Sequence, residues 1–73
     1  MPDDAIHRHI ATRVRVLAHR RNWSGNYLAD TAGVSRAQLS RLLTLQTSPT
    51  VGLLAKIAAA LEVHTRDLLP PKD

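Results

Sequence analysis

The residues best suited to chemistry in this chain are four cationic or small side chains near its middle. On a helix they share one face, at offsets of zero, one, four and five: Arg36, Ala37, Ser40 and Arg41. A guanidinium can form two parallel hydrogen bonds with a guanine edge, and an alanine methyl group can contact a thymine methyl group. These residue types predict a helix face that reads base pairs. The alternative is a solvated helix face without a partner.

The helix that carries this face is predicted to begin at Ser35, whose hydroxyl can cap it. Leu39 and Leu42 then lie on the opposite side and predict burial there. Gly33 comes just before the cap, where a preceding helix needs a residue that accepts a positive φ. Two short helices joined by a tight turn form a helix-turn-helix, whose second helix can enter a DNA major groove.

A longer pattern extends from this segment in both directions. Its parts read LADTAGVSRAQLSRL (28–42), IATRVRVL (10–17), RRNWS (20–24), SPTV (48–51), LAKIAAALEV (54–63) and LL (68–69). Together they resemble the Cro and lambda-repressor-like (XRE-type) family of helix-turn-helix proteins. The resemblance implies a transcriptional regulator, repressor-like, that binds double-stranded DNA as a homodimer on a near-palindromic site.

Caps, apolar stripes and helix breakers predict the same architecture, a compact all-α, five-helix domain of lambda-repressor-like fold without strands. Residues 1–73 form one domain with a core at 5–69 and tails at 1–4 and 70–73. Val51 is expected to begin the inner face of the fourth helix. The predicted helices span 5–21, 24–33, 35 onward, 51–61 and 65–69.

The DNA-binding hypothesis assigns a role to each candidate residue. Arg36 and Arg41 read bases, and Ala37 and Ser40 lie in the groove between them. Phosphates are expected to contact a second set: Asn26, Ser35, Gln38, Gln46 and Thr47. The family commonly has Gln where Gly25 stands here, so one phosphate contact is missing, and Asn26 or exposed backbone amides would replace it.

Three leucines depart from the family pattern around the loop that follows the third helix. Leu43 replaces a Glu that many members pair with the equivalent of Arg13, so Arg13 must find water, a carbonyl, a phosphate or another acid. Leu45 replaces a glycine, and its β-carbon disfavours a positive φ, so the helix is expected to continue or the loop to turn differently. With Leu53 these residues are either additional core or a contact surface. A contact surface would favour a protein-interaction module on the same scaffold.

Composition excludes several other classes of function. The net charge of +4 and the pI near 10.8 favour a polyanionic partner. There is no cysteine, the four histidines lack ligand spacing, and no catalytic constellation is present, so we expect no enzyme, cofactor, metal or small-molecule ligand. No apolar run is long enough to span a membrane. We therefore expect a cytoplasmic protein, nucleoid-associated if prokaryotic.

Overall fold

The elements follow one another with short connections, as the capping signals predict. A computed structural model describes residues 3–71. Within this range the elements are α1 (Asp3–Arg20), α2 (Gly25–Ala32), α3 (Arg36–Leu43), α4 (Val51–Ala60) and a 3₁₀ turn (Thr65–Leu68), and none is a strand. The all-α prediction is confirmed, but the prediction of five helices is wrong at the last element.

The last element stays a single 3₁₀ turn because two prolines follow it. Leu69 is extended, with φ −94° and ψ 157°, as expected for a residue that precedes a proline. Pro70 has no N–H group with which to continue a helix. The segment therefore has room for only one turn after His64, its N-cap.

The first helix begins at Asp3 rather than Ala5, and it ends at Arg20, one residue earlier than predicted. Helix α4 likewise ends one residue early, at Ala60. The outer parts of the predicted tails, 1–2 and 72–73, lie outside the described residues. Within 3–71, no helix combines the length and the apolar character needed to cross a membrane.

Three helices begin at a hydroxyl cap. Ser24, Ser35 and Thr50 are extended and precede α2, α3 and α4. Each hydroxyl accepts a hydrogen bond of 3.0–3.1 Å from the backbone N–H three residues later, at Tyr27, Gln38 and Leu53 respectively. These bonds satisfy amide groups that have no partner within the helix. The predicted cap at Ser35 is confirmed.

The four α-helices of residues 3–71 end with the same backbone motif, in which the chain passes through a left-handed residue. These residues are Asn22 (φ 58°), Gly33 (φ 74°), Leu45 (φ 63°) and Glu62 (φ 58°). The next amide in each case bonds a carbonyl five residues back, at 2.8–3.0 Å: Trp23 to Ala18, Val34 to Ala29, Gln46 to Arg41 and Val63 to Ala58. This arrangement is the Schellman motif, which satisfies carbonyls at the helix terminus.

The expectation for Leu45 was therefore wrong, because Leu45 itself adopts a positive φ of 63°. A left-handed conformation costs a residue with a β-carbon about 1–2 kcal/mol. The motif offsets this cost with two hydrogen bonds, from Leu45 N to Leu42 O (3.3 Å) and from Gln46 N to Arg41 O (2.8 Å). Helix α3 consequently stops at Leu43 instead of continuing.

Leu45→Gly should stabilise the protein, because glycine removes the strain at this left-handed position. We expect a net gain of about 0.5–1 kcal/mol, since glycine also has greater backbone entropy in the unfolded chain. Urea unfolding of the two proteins measures the difference. Gln46→Gly is the matched control, because Gln46 is not among the residues with positive φ, and it should not stabilise. A loss of stability in Leu45→Gly would show that the leucine side chain contributes more than the strain costs.

One hydrophobic core joins all the elements. Each contributes residues that are less than about a tenth exposed: Ile10, Val14, Ala18, Leu28, Ala29, Ala32, Leu39, Leu42, Leu54, Ile57, Ala58, Leu61 and Leu68. The prediction that Val51 begins the inner face of α4 is wrong, because Val51 is 81% exposed. It lies almost one turn before Leu54, the first core residue of the helix, and so beyond the edge of the core.

Arginines of the N-terminal segment bind the ends of other elements. Each donates a hydrogen bond to a backbone carbonyl of α3, the α4 C-cap or the 3₁₀ turn: Arg15 to Leu43 (3.1 Å), Arg21 to Leu61 (2.6 Å) and Arg13 to Asp67 (3.4 Å). A cation at a helix C-terminus also interacts favourably with the helix dipole. Much of the positive charge near the N-terminus is thus used to hold the fold together. The partner of Arg13 is therefore a carbonyl, one of the alternatives expected from the sequence.

Candidate nucleic-acid interface

Helix α3 buries one side and exposes the other, as its pattern predicts. Leu39 and Leu42 are 2% and 0% exposed and face the core. The opposite side carries the residues predicted to read bases, all exposed: Arg36, Ala37, Ser40 and Arg41. The helix is capped at Ser35 and its opposite side packs against the core, so the backbone that carries these side chains is held in place. Their contacts with DNA remain a prediction.

The residues predicted to hold phosphates are also exposed. They lie at the starts of α2 and α3 and in the loop after α3: Asn26, Ser35, Gln38, Gln46 and Thr47. The loop is tied to α3 by the bond from Gln46 N to Arg41 O, and Thr44 Oγ1 donates to Ser40 O at 2.7 Å. The structure therefore places every candidate residue on the surface of the helix-turn-helix or of the loop that follows it.

Ser35 and Gln38 form a reciprocal cap at the start of α3. Ser35 Oγ accepts from Gln38 N at 3.0 Å, and Gln38 Oε1 accepts from Ser35 N at 3.0 Å. This is the capping box, which the spacing Ser-x-x-Gln could have indicated from sequence. The box fixes the orientation of the Gln38 amide, so its Nε2 group is the donor left for a ligand.

Asn26 and Arg36, which had been given separate roles, contact each other. Arg36 Nη1 donates a hydrogen bond of 2.6 Å to Asn26 Oδ1, and both residues are exposed. Gly25 lies beneath this contact, and a β-carbon built there would be 4.0 Å from Arg36 Nε. The guanidinium therefore lies over the first turn of α2 and connects the two helices of the motif.

An aromatic cluster supports the corner between α1 and α2. The rings of Trp23 and Tyr27 meet edge to face, with centroids 4.9 Å apart, and Arg21 Cζ lies 5.2 Å from the Trp23 ring centroid. Arg21 also forms an ion pair with Glu62, in which Nη1 lies 3.8 Å from Oε1. Cation–π and edge-to-face contacts of this kind are favourable, so they steady the start of α2. Trp23 is partly buried and packs against the core, and the role of Arg21 had not been anticipated.

The three leucines of the atypical pattern do not form one exposed surface. Leu43 and Leu53 are partly buried and pack against the core. Leu45 alone is exposed, at 37%, because its backbone is committed to the turn after α3. The structure thus packs two of the three against the core, and the protein-interaction alternative lacks the surface on which it depended.

Two capped helices joined at a left-handed Gly33, the second with an exposed polar face, define a helix-turn-helix domain. The sequence model of the family HTH_3, helix-turn-helix, matches residues 15–68, and the chain belongs to this family.

Two bacterial transcriptional regulators are similar in sequence to this chain. The chain is 38% identical over 64 residues to the HTH-type transcriptional regulator SutR of Escherichia coli (strain K12), a match that covers 88% of this chain and 36% of that protein. It is 35% identical over 65 residues to the HTH-type transcriptional regulator SinR of Bacillus licheniformis, covering 88% of this chain and 59% of SinR. The chain thus spans less than two thirds of the length of either relative.

A solved structure shares the fold. The crystal structure of the hypothetical transcription factor NHTF from Neisseria superposes with a TM-score of 0.87 at 25% identity, covering 97% of this chain and 82% of that one. The arrangement of α1–α4 and the 3₁₀ turn is therefore shared with a solved protein structure.

Proposed function

We propose that this protein is a sequence-specific DNA-binding transcriptional regulator that inserts α3 into the major groove. The observation that carries the proposal is the exposed polar face of α3, with an arginine near each end, on a helix whose other side is buried. The relatives named above are transcriptional regulators, which supports the same role. The proposal includes no catalytic step, and it places the protein in the cytoplasm with the chromosomal DNA.

The spacing of the two arginines suits base readout. Arg36 and Arg41 are five residues apart, which corresponds to about 7.5 Å of rise along the helix. That distance is about two base-pair steps, at about 3.4 Å each. Each guanidinium can therefore address a different base pair, while Ala37 and Ser40 lie between them against the groove floor.

Other groups would fix the position of the domain on the duplex. Ser35, Gln38 and the loop at Gln46–Thr47 are proposed to contact phosphates, which carry no direct sequence information. We further propose that two copies bind a near-palindromic site as a repressor-like dimer, with half-sites about 34 Å apart. Sedimentation with and without DNA tests the number of copies.

Selection of bound sequences from a random DNA pool tests the proposed function. We expect a short consensus with guanines at the positions that face the two arginines, and a near-palindromic repeat of it. Binding to the consensus should weaken as salt rises, because phosphate contacts release counterions. Failure to enrich any sequence at low salt would contradict the proposal.

Substitution of Gln38 can separate its two roles, which are closing the capping box and the proposed contact with a phosphate. Gln38→Glu keeps an oxygen that can close the capping box, so the thermal unfolding midpoint should change little. The new charge should repel phosphate and weaken binding to the selected site and to random DNA by similar factors of roughly 5-fold or more, within the range of lost charged contacts. Fluorescence anisotropy on both DNAs measures this.

Gln38→Ala is the companion variant. It should lower stability by about 0.5–2 kcal/mol, because part of the cap is lost, and it should weaken both kinds of DNA binding. A change in which sequence is preferred, in either variant, would show that Gln38 reads a base rather than a phosphate.

A further inference from the structure

We propose that Asn26 is a positioning residue that holds the guanidinium of Arg36 in the orientation that reads a base. The inference rests on the proposed function and replaces the separate phosphate contact expected of Asn26. It is carried by the bond of 2.6 Å from Arg36 Nη1 to Asn26 Oδ1, which joins the first turn of α2 to the first turn of α3.

The missing side chain at position 25 makes this contact possible. The Arg36 side chain reaches back over α2, and a β-carbon at Gly25 would already lie 4.0 Å from its Nε. A β-carbon there would be in ordinary contact with Arg36, and the glycine leaves that space open beside the guanidinium. Gly25 therefore has an effect besides the missing phosphate contact, because it leaves room for the Arg36 side chain to reach Asn26.

The bond to Asn26 leaves a suitable edge of the guanidinium available. Arginine has five N–H donors in a rigid plane, and Asn26 accepts only from Nη1. The edge formed by Nε and Nη2 keeps the geometry for two parallel hydrogen bonds to a guanine. A flexible side chain loses rotamer freedom when it binds, and a partner that restrains it beforehand reduces this loss.

Arg41 provides the internal comparison. It lies at the other end of the α3 face, and among residues 3–71 its guanidinium forms no hydrogen bond with another side chain. The guanidinium of Arg36 is thus restrained by a neighbouring side chain, whereas that of Arg41 is not. The two should respond differently to changes at Asn26.

A double-mutant cycle on the selected DNA site tests the inference. Asn26→Ala should relax the base preference at the same position as Arg36→Ala, with a loss of about 2–10-fold, in the range of coupled neighbours. In the Arg36→Ala background, Asn26→Ala should have no further effect, whereas with Arg41→Ala the losses should multiply. Asn26→Asp keeps an acceptor, so it should retain the base preference while weakening binding to all DNA. Unfolding curves confirm that each variant is folded.

The outcomes are distinguishable. Equal weakening on specific and random DNA, with unchanged base preference, would show that Asn26 contacts phosphate itself and would overturn the inference. Independent, multiplicative losses for Asn26→Ala and Arg36→Ala would overturn it as well. NMR of the Arg36 guanidinium in the free protein separates this failure from failure of the proposed function. Its Nη–H signals should be sharper when Asn26 is present than in Asn26→Ala, because the bond to Asn26 restrains the group in the absence of DNA.

Discussion

Leu68→Ala is expected to lower the free energy of unfolding by about 2–5 kcal/mol, the usual cost of truncating a fully buried leucine. Leu68 is 0% exposed, and it lies in the 3₁₀ turn that packs against α1 and α4. A domain of this length has a total stability of about 4–11 kcal/mol. The cavity left by the leucine side chain would therefore remove a large part of the domain's total stability. Urea unfolding followed by circular dichroism measures the loss.

The neighbouring residue provides a matched control. Leu69→Ala removes the same atoms from a side chain that is 39% exposed. Its cost should stay below about 1 kcal/mol, because less apolar surface returns to water. Equal effects at the two positions would mean that the 3₁₀ turn does not anchor the core through Leu68.

Arg36→Ala and Arg41→Ala are each expected to reduce discrimination between the preferred base and the others by about 1–3 kcal/mol, or roughly 5–150-fold. Each should act at a different position of the half-site, because the two arginines lie about two base-pair steps apart. Binding to random DNA should fall much less, since the proposed phosphate contacts remain intact. Repeating the selection with each variant identifies the positions that change.

Ala37→Ser is the control on the same face, because it changes no charge and adds only a hydroxyl. It should leave the preferences at the two arginine positions in place. If neither arginine variant shifts any base preference, α3 does not read DNA and the proposed mode of binding is wrong. If both shift the same position, the assignment of one base pair to each arginine is wrong.

The local features of this fold could be predicted because they depend on neighbours in the chain. Ser35 was expected to cap a helix and Gly33 to end one, since capping involves residues only a few positions apart. Leu39 and Leu42 were expected to face the core because helical periodicity alone separates a buried side from an exposed one. The exposed face of α3 followed from the same argument.

Contacts between distant segments could not be predicted in this way. The net charge of +4 suggested a polyanionic partner, yet Arg15 and Arg21 donate hydrogen bonds to carbonyls at the ends of α3 and α4. The contact of Asn26 with Arg36 depends on how α2 and α3 cross and on the space above Gly25. Neither can be seen in the spacing of residues along one helix.

By itself, the sequence determined the four α-helices to within about two residues at each predicted end, the cap at Ser35, the family and the side of α3 that faces solvent. Each of these depends on short-range geometry and on hydrophobic periodicity. Only the tertiary structure decided which leucines are core and which polar groups are engaged. Leu68 is buried while Leu69 is exposed, and Leu45 accepts a left-handed backbone because two hydrogen bonds of the turn compensate for the strain. Burial and hydrogen-bond pairing depend on which segments contact each other in the folded protein, and the local sequence pattern does not specify those contacts.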